Sequence, residues 1–146
     1  MPAGRYDIIA EQGASFKIQF DYLYAGVGGT GINLENFTCQ MQVRKSAYDS
    51  KILLDASISG LTYGGVTGYY EPGVITGTTA SGGIYLNQDI QGITRTGGIY
   101  INVPHTVTRY FPVGRHFYDL ELTNSVSGDV TRLLEGTFEV TKEVTR

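Results

Sequence analysis

The chain has no tryptophan, one cysteine, two histidines and four prolines among its 146 residues. A lone Cys39 rules out an internal disulfide framework, and with only His105 and His116 beside it no Cys-rich zinc site can be assembled. The fold must therefore rest on an apolar core. There is no run of Lys or Arg, and 14 acidic residues interspersed with 11 basic ones leave a net charge of -3, which gives no electrostatic footprint for nucleic acid or an anionic membrane. No apolar run approaches the ~18 residues of a spanning helix, and the opening Met-Pro-Ala-Gly-Arg lacks an apolar signal core, so synthesis in a cytoplasm is expected. No stretch holds a helical period over three turns, which excludes a helical domain.

What the chain does have is alternation. The clearest case is its last third, where His116, Tyr118, Leu120 and Leu122 alternate with Phe117, Asp119 and Glu121 before a Ser-Val-Ser-Gly-Asp turn leads into residues 130–144. Two long strands joined by a tight polar turn are expected there. Phe16, Ile18, Phe20, Tyr22 and Tyr24 share one face against Ser15, Lys17, Gln19 and Asp21, and Phe37, Cys39, Met41 and Val43 share another. A short strand is expected at Tyr6, Ile8 and Ala10, and inward faces at Ile52, Leu54, Ala56 and Ile58 and at Ile99, Ile101 and Val103. Gly26, Gly28, Gly29 and Gly31 mark a loop, where missing β-carbons open backbone conformations closed to other residues. The fold expected from this pattern is all-β: one domain over residues 1–146, an antiparallel immunoglobulin-like β-sandwich. Cys39 falls on an inward face and reads as a small core thiol.

Residues 60–98 break the pattern, holding eleven of the 20 glycines and only Glu71, Asp89 and Arg95 as charges. Too polar and glycine-rich for core, they read as a Gly/Tyr-rich inserted hairpin or long ordered loop, with Tyr, Ile and Val enough to allow short β segments at residues 74–78, 83–86 and 90–94. Its Tyr63, Tyr69, Tyr70 and Tyr85 are the candidate partner-contact residues, because Tyr gives rigid amphipathic contact area at low entropic cost.

Catalytic and ligand motifs are missing. His105 and His116 have no serine or cysteine nearby in sequence with a supporting acid. The loop glycines lack the strand-to-helix context and the Lys-Ser/Thr of a phosphate cradle, and the aspartates stand singly, without the spacing of a calcium loop. Asn36-Phe37-Thr38 matches a glycosylation sequon but lies within an expected strand. The segment from Pro104 to Pro112 reads as a bridge between sheets, because proline at both ends argues against a strand. His116 then stands near the place of a corner tyrosine that would hydrogen-bond back to the bridge, a structural histidine and not a base. No enzyme, cofactor or metal is expected.

The opening Ala3-Gly4-Arg5-Tyr6-Asp7-Ile8, then Glu11-Gln12-Gly13-Ala14, the strand Met41-Gln42-Val43-Arg44, and the closing Tyr118-Asp119-Leu120-Glu121-Leu122-Thr123 with Thr131-Arg132-Leu133-Leu134-Glu135-Gly136 carry a resemblance. Over about two-thirds of its length the chain resembles small virion proteins of tailed phages, similar in pattern to the N-terminal β-sandwich domain of phage baseplate upper proteins. Its most specific part is Asp-Leu-Glu-Leu, a turn, then Arg-Leu-Leu-Glu-Gly. The inserted stretch and His116 depart from that pattern. The resemblance implies a non-enzymatic structural subunit located in the virion, near the tail, baseplate or neck. Its partners would be other phage virion proteins and copies of itself in a symmetric homo-oligomer, with no nucleic acid or membrane partner. Because the chain ends soon after its last strand, an adaptor is expected, not a complete receptor-binding fibre. A capsid decoration (cement) protein is the alternative reading. A carbohydrate-binding module for a host glycan is the third, and it rests on the four tyrosines lying together on one exposed face.

Overall fold

The computed structural model describes residues 3–24 and 29–143, so the loop positions Gly26 and Gly28 and the terminal residues 144–146 lie outside the described residues. In chain order the strands are β1 (Gly4–Arg5), β2 (Ile8–Glu11), β3 (Phe16–Asp21), β4 (Phe37–Arg44), β5 (Ile52–Ser57), β6 (Gly60–Tyr63), β7 (Thr78–Ala80), β8 (Gly83–Gln88), β9 (Thr94–Val103), β10 (Gly114–Asn124) and β11 (Val130–Thr141). A short helix, α1 (His105–Thr108), precedes β10. They form two sheets: a large one ordered β1-β11-β10-β4-β5-β6-β7, with β2 also on β11, and a small one ordered β3-β9-β8.

Alternation explains why these segments pack as a sandwich. Cys39, Met41 and Val43 of β4, Leu54 and Ala56 of β5, and His116, Tyr118, Leu120 and Leu122 of β10 are buried on one face of the large sheet. They meet Phe16 of β3, Ile84 of β8 and Ile99, Ile101 and Val103 of β9 from the small sheet. Such close packing of apolar side chains is the main source of stability in a chain without disulfides. Phe111, from the bridge, is fully buried and stands edge-on to Phe138, with ring centroids 6.2 Å apart. The Pro104–Pro112 segment is thus a helical turn whose Val107 and Phe111 plug one end of the sandwich.

Four expectations are corrected. Residues 60–98 are not an excursion: they supply β6 and β7 to the large sheet, all of β8 and the start of β9 to the small one, with Leu61, Tyr63, Tyr70 and Ile84 buried. The stretch looked too polar for core because only alternate residues of short strands point inward, and because its glycines serve close approaches. Gly83, at φ +124°, is one such site: a Cβ there would come within 2.6 Å of the Ser57 carbonyl oxygen. Second, the sheet is not wholly antiparallel, since β1 and β2 run parallel to β11, in register Gly4 with Leu134 and Phe138 with Ile8. Parallel pairing needs a long crossover, and here the rest of the chain provides it. Third, Ile58 lies in the turn after β5 and is exposed. Fourth, the inward face of β3 fades: Phe16 is buried, Ile18, Phe20 and Tyr22 are half-buried, and Tyr24 is exposed.

Candidate interaction surface

The four tyrosines of residues 60–98 do not gather on one exposed face. Tyr63, from β6, is buried and stacks on Tyr110 of the bridge with centroids 6.3 Å apart. Tyr70 is buried in an isolated bridge to Ile52, and burial, reinforced by the Asp55 carboxylate, pushes its hydroxyl up to about 12. Tyr69 is half-buried, with its hydroxyl 2.7 Å from His116 Nε2 in a hydrogen bond whose direction follows the imidazole tautomer. Only Tyr85 is exposed, at 37 %, where it stacks on Tyr100 across β8 and β9 with centroids 5.6 Å apart. A sugar platform built from the four is therefore missing.

His116 is 1 % exposed and does not bond back to the bridge, correcting its expected corner role. Burial, aided by the charge of Lys45, lowers its pKa, while the nearby backbone of Phe138 and Gly114 opposes the shift without giving Nδ1 a hydrogen bond. The role of cross-tie falls to Tyr118, two residues on, whose hydroxyl donates to the Tyr6 carbonyl at 2.5 Å. Alternation placed Tyr118 inward but could not name a partner 112 residues away. Cys39 is buried and its thiol is pushed up to about 12 by desolvation, so it carries little thiolate at neutral pH. Among the described residues no three His, Cys, Asp or Glu side chains stand together as a metal site, and no helix is long and apolar enough to cross a membrane.

The outer face of the large sheet carries two polar clusters. Gln40 and Gln42 donate to Asp55, and Arg44 donates to Gln42 Oε1 and to the Asp49 carbonyl. Arg132 of β11 reaches Asp119, Glu121 and Glu135 at 3.5, 3.7 and 3.9 Å. A cavity of about 350 Å³ opens among Arg5, Gln42, Arg44, Phe117, Asp119 and Arg132. Burial, followed by repulsion from Glu121, raises the pKa of Asp119 there. Mixed charges of this kind set specificity and register at a protein interface more than affinity.

Beyond the faces lie the edges and loop tips. At the end that carries the β10–β11 turn, Leu23, Tyr24, Ile58, Ile90 and Val126 are exposed on four connections, and Val130 at the start of β11 beside them. Asn87 braces that end: at φ +58°, its Oδ1 accepts from the backbone of Leu34 and Gly97 while its Nδ2 donates to Asn33. Sequence reading missed Asn87, although Asn is among the few side chains that tolerate such a φ. No protein-family model matches the chain, and no curated protein matches it.

Proposed function

We propose that this chain is a non-enzymatic structural subunit of a tailed bacteriophage particle, an adaptor or assembly protein of the tail, baseplate or neck that binds neighbouring virion proteins through sheet edges and loop ends. The reading is carried by the closing block, Asp119-Leu120-Glu121-Leu122 followed by Arg132-Leu133-Leu134-Glu135-Gly136, which resembles that of small phage virion proteins and forms the β10–β11 hairpin at the centre of this fold. Its alternation serves two purposes at once. The leucines at 120 and 122 fill the core, while Asp119, Glu121, Arg132 and Glu135 form a charged outward face suited to docking.

An immunoglobulin-like arrangement is part of the proposal. The order β11-β10-β4-β5-β6 facing β3-β9-β8 follows the variable-type scheme, in which two extra strands extend the G-F-C sheet opposite the B-E-D strands. In that scheme the four connections carrying the exposed apolar residues share one end, which favours partner contact there. Locating the chain in intact particles by cryo-electron microscopy tests the function. Density at tail, baseplate or neck is expected; density on the capsid lattice would replace the reading with capsid decoration, and absence from particles would sink both.

A further inference from the structure

β3 is an unpaired edge with self-complementary chemistry. Its one ladder partner is β9, in register Phe16 with Val103 through Asp21 with Gly98. Just beyond the strand, Tyr22 N–H donates to Gly97, Tyr22 C=O accepts from Ile32, and Tyr24 N–H donates to Thr30. The even-numbered residues thus turn their backbone groups toward the sheet. By the alternation of an antiparallel ladder, Lys17, Gln19 and Asp21 turn theirs to the open side. The other edges are less available. β8 packs at its first residue, Gly83, against Ser57 and Gly60 of the β5–β6 turn, and β1, β2 and β7 have only two, four and three residues. Beside β3, a groove of about 510 Å³ opens toward β2, lined by Tyr6, Ile8, Ile9, Phe16 and Ile18.

We propose that two copies of this chain associate through β3, each free edge pairing antiparallel with the other about a two-fold axis at Gln19, so that the two small sheets become one. The inference deepens the assembly reading and rests on it for the expectation that copies meet. The register follows from the sequence Phe16-Lys17-Ile18-Gln19-Phe20-Asp21. With Gln19 opposite its own copy, Lys17 faces the second copy's Asp21 on the solvent side, twice by symmetry, joining the Arg95 guanidinium that already holds that carboxylate at 2.7 Å within its own chain, and Ile18 faces the second copy's Phe20 on the inner side. Gln19, Lys17 and Asp21 are the residues whose backbone groups are free, so each facing pair exchanges both of its main-chain hydrogen bonds. No other symmetric register gives both charge pairs together with hydrogen-bonded geometry. The pairing also accounts for a strand whose alternation is strong while Ile18 and Phe20 remain half-buried: the copy supplies their missing neighbours.

Cysteine cross-linking reads the register. In a hydrogen-bonded antiparallel pair the two Cα atoms at Gln19 lie about 5.5 Å apart, within the range of about 4.4–6.8 Å that a disulfide spans. Lys17 and its copy would lie about 13 Å apart, four residues along the strands. Under mild oxidation Gln19→Cys should give a disulfide-linked dimer at least ten-fold faster than Lys17→Cys, while Cys39 stays out of reach in the core. Sedimentation equilibrium of the unmodified chain should show a species of twice 15.9 kDa that grows with concentration. Lys17→Asp, which sets like charges opposite each other, should weaken dimerisation at least ten-fold, whereas Lys17→Arg, which keeps the charge, should preserve it. Equal cross-linking rates for the two cysteine variants, or a chain that stays at 15.9 kDa throughout, would overturn the pairing and leave the edge for a strand of another protein. A monomer found in particles refutes this dimer alone, whereas a β3-linked dimer absent from particles refutes the assembly role alone.

Discussion

Replacing Tyr118 by Phe removes one oxygen atom and little else. The ring is 5 % exposed on the inward face of β10, and Phe keeps its packing. The lost hydroxyl donates at 2.5 Å to the carbonyl of Tyr6, at the kink between β1 and β2 where the N-terminal segment lies along β11. The backbone approaches closely there: a Cβ at Gly136 would overlap that same carbonyl oxygen, and Asp7 accepts from the Thr137 N–H one residue further on. Burial, then the Asp7 and Tyr6 side chains, raise the pKa of Tyr118, so its hydroxyl remains a donor across the neutral range. The net value of such a bond is about 0.5–1.5 kcal/mol, and a stranded carbonyl costs about 1–3 kcal/mol when buried. Tyr6 is 47 % exposed as a residue, so the expected loss is set at about 1–2 kcal/mol, below the upper limit for a fully buried group. Urea unfolding at pH 7.5 measures it as a lower midpoint at unchanged slope, and the melting temperature should fall by roughly 2–8 °C. Because Asp7 holds the same kink, Asp7→Ala should cost less when added to the Tyr118→Phe variant than when made in the parent. A loss under about 0.3 kcal/mol, with strictly additive double mutants, would refute the claim that Tyr118 pins the N-terminal segment.

The buried His116 predicts a pH dependence. Its folded pKa lies below the 6.5 of a free imidazole, so the unfolded chain takes up the proton first; stability is full above about pH 6.5 and is lost as pH falls through the folded value. Asp119, whose folded pKa is raised, contributes in the opposite sense at lower pH, so unfolding midpoints of the parent and His116→Phe should be compared between pH 7.5 and 5; a parent curve as flat as the variant's would refute the burial argument. The contrast between buried and exposed tyrosines is testable in the same assay. Tyr63→Ala should cost about 3–5 kcal/mol, as for a buried aromatic, and Tyr85→Ala only about 1 kcal/mol from lost stacking on Tyr100; equal costs would show that Tyr85 is not a free surface residue.

Much of this fold is legible from alternation. In β4 and β10 the residues read as inward are buried, apart from Phe37 at the strand's start, which is half-buried. The β10–β11 hairpin stands where two alternating runs flank a polar turn. A period of two reports which side of a pleated strand meets the core, because successive side chains point to opposite faces whatever the strand pairs with. Burial of Cys39 and the non-strand character of the Pro104–Pro112 bridge are local in the same sense.

Composition was a poor guide to residues 60–98, because short strands with one inward face and glycines at close approaches look like loop in a window average. The fates of the tyrosines depended on neighbours far along the chain: Tyr63 met Tyr110, Tyr69 met His116, and Tyr85 met Tyr100. The order of residues along the chain dictates most of the strands, most of their inward faces and the absence of disulfide cross-links. It took the closed fold to set β1 and β2 parallel to β11, to make a glycine-rich stretch complete both sheets, and to leave β3 with an open edge. Side-chain alternation is a property of one strand, whereas strand partners and free edges are fixed only when the whole chain closes around its core.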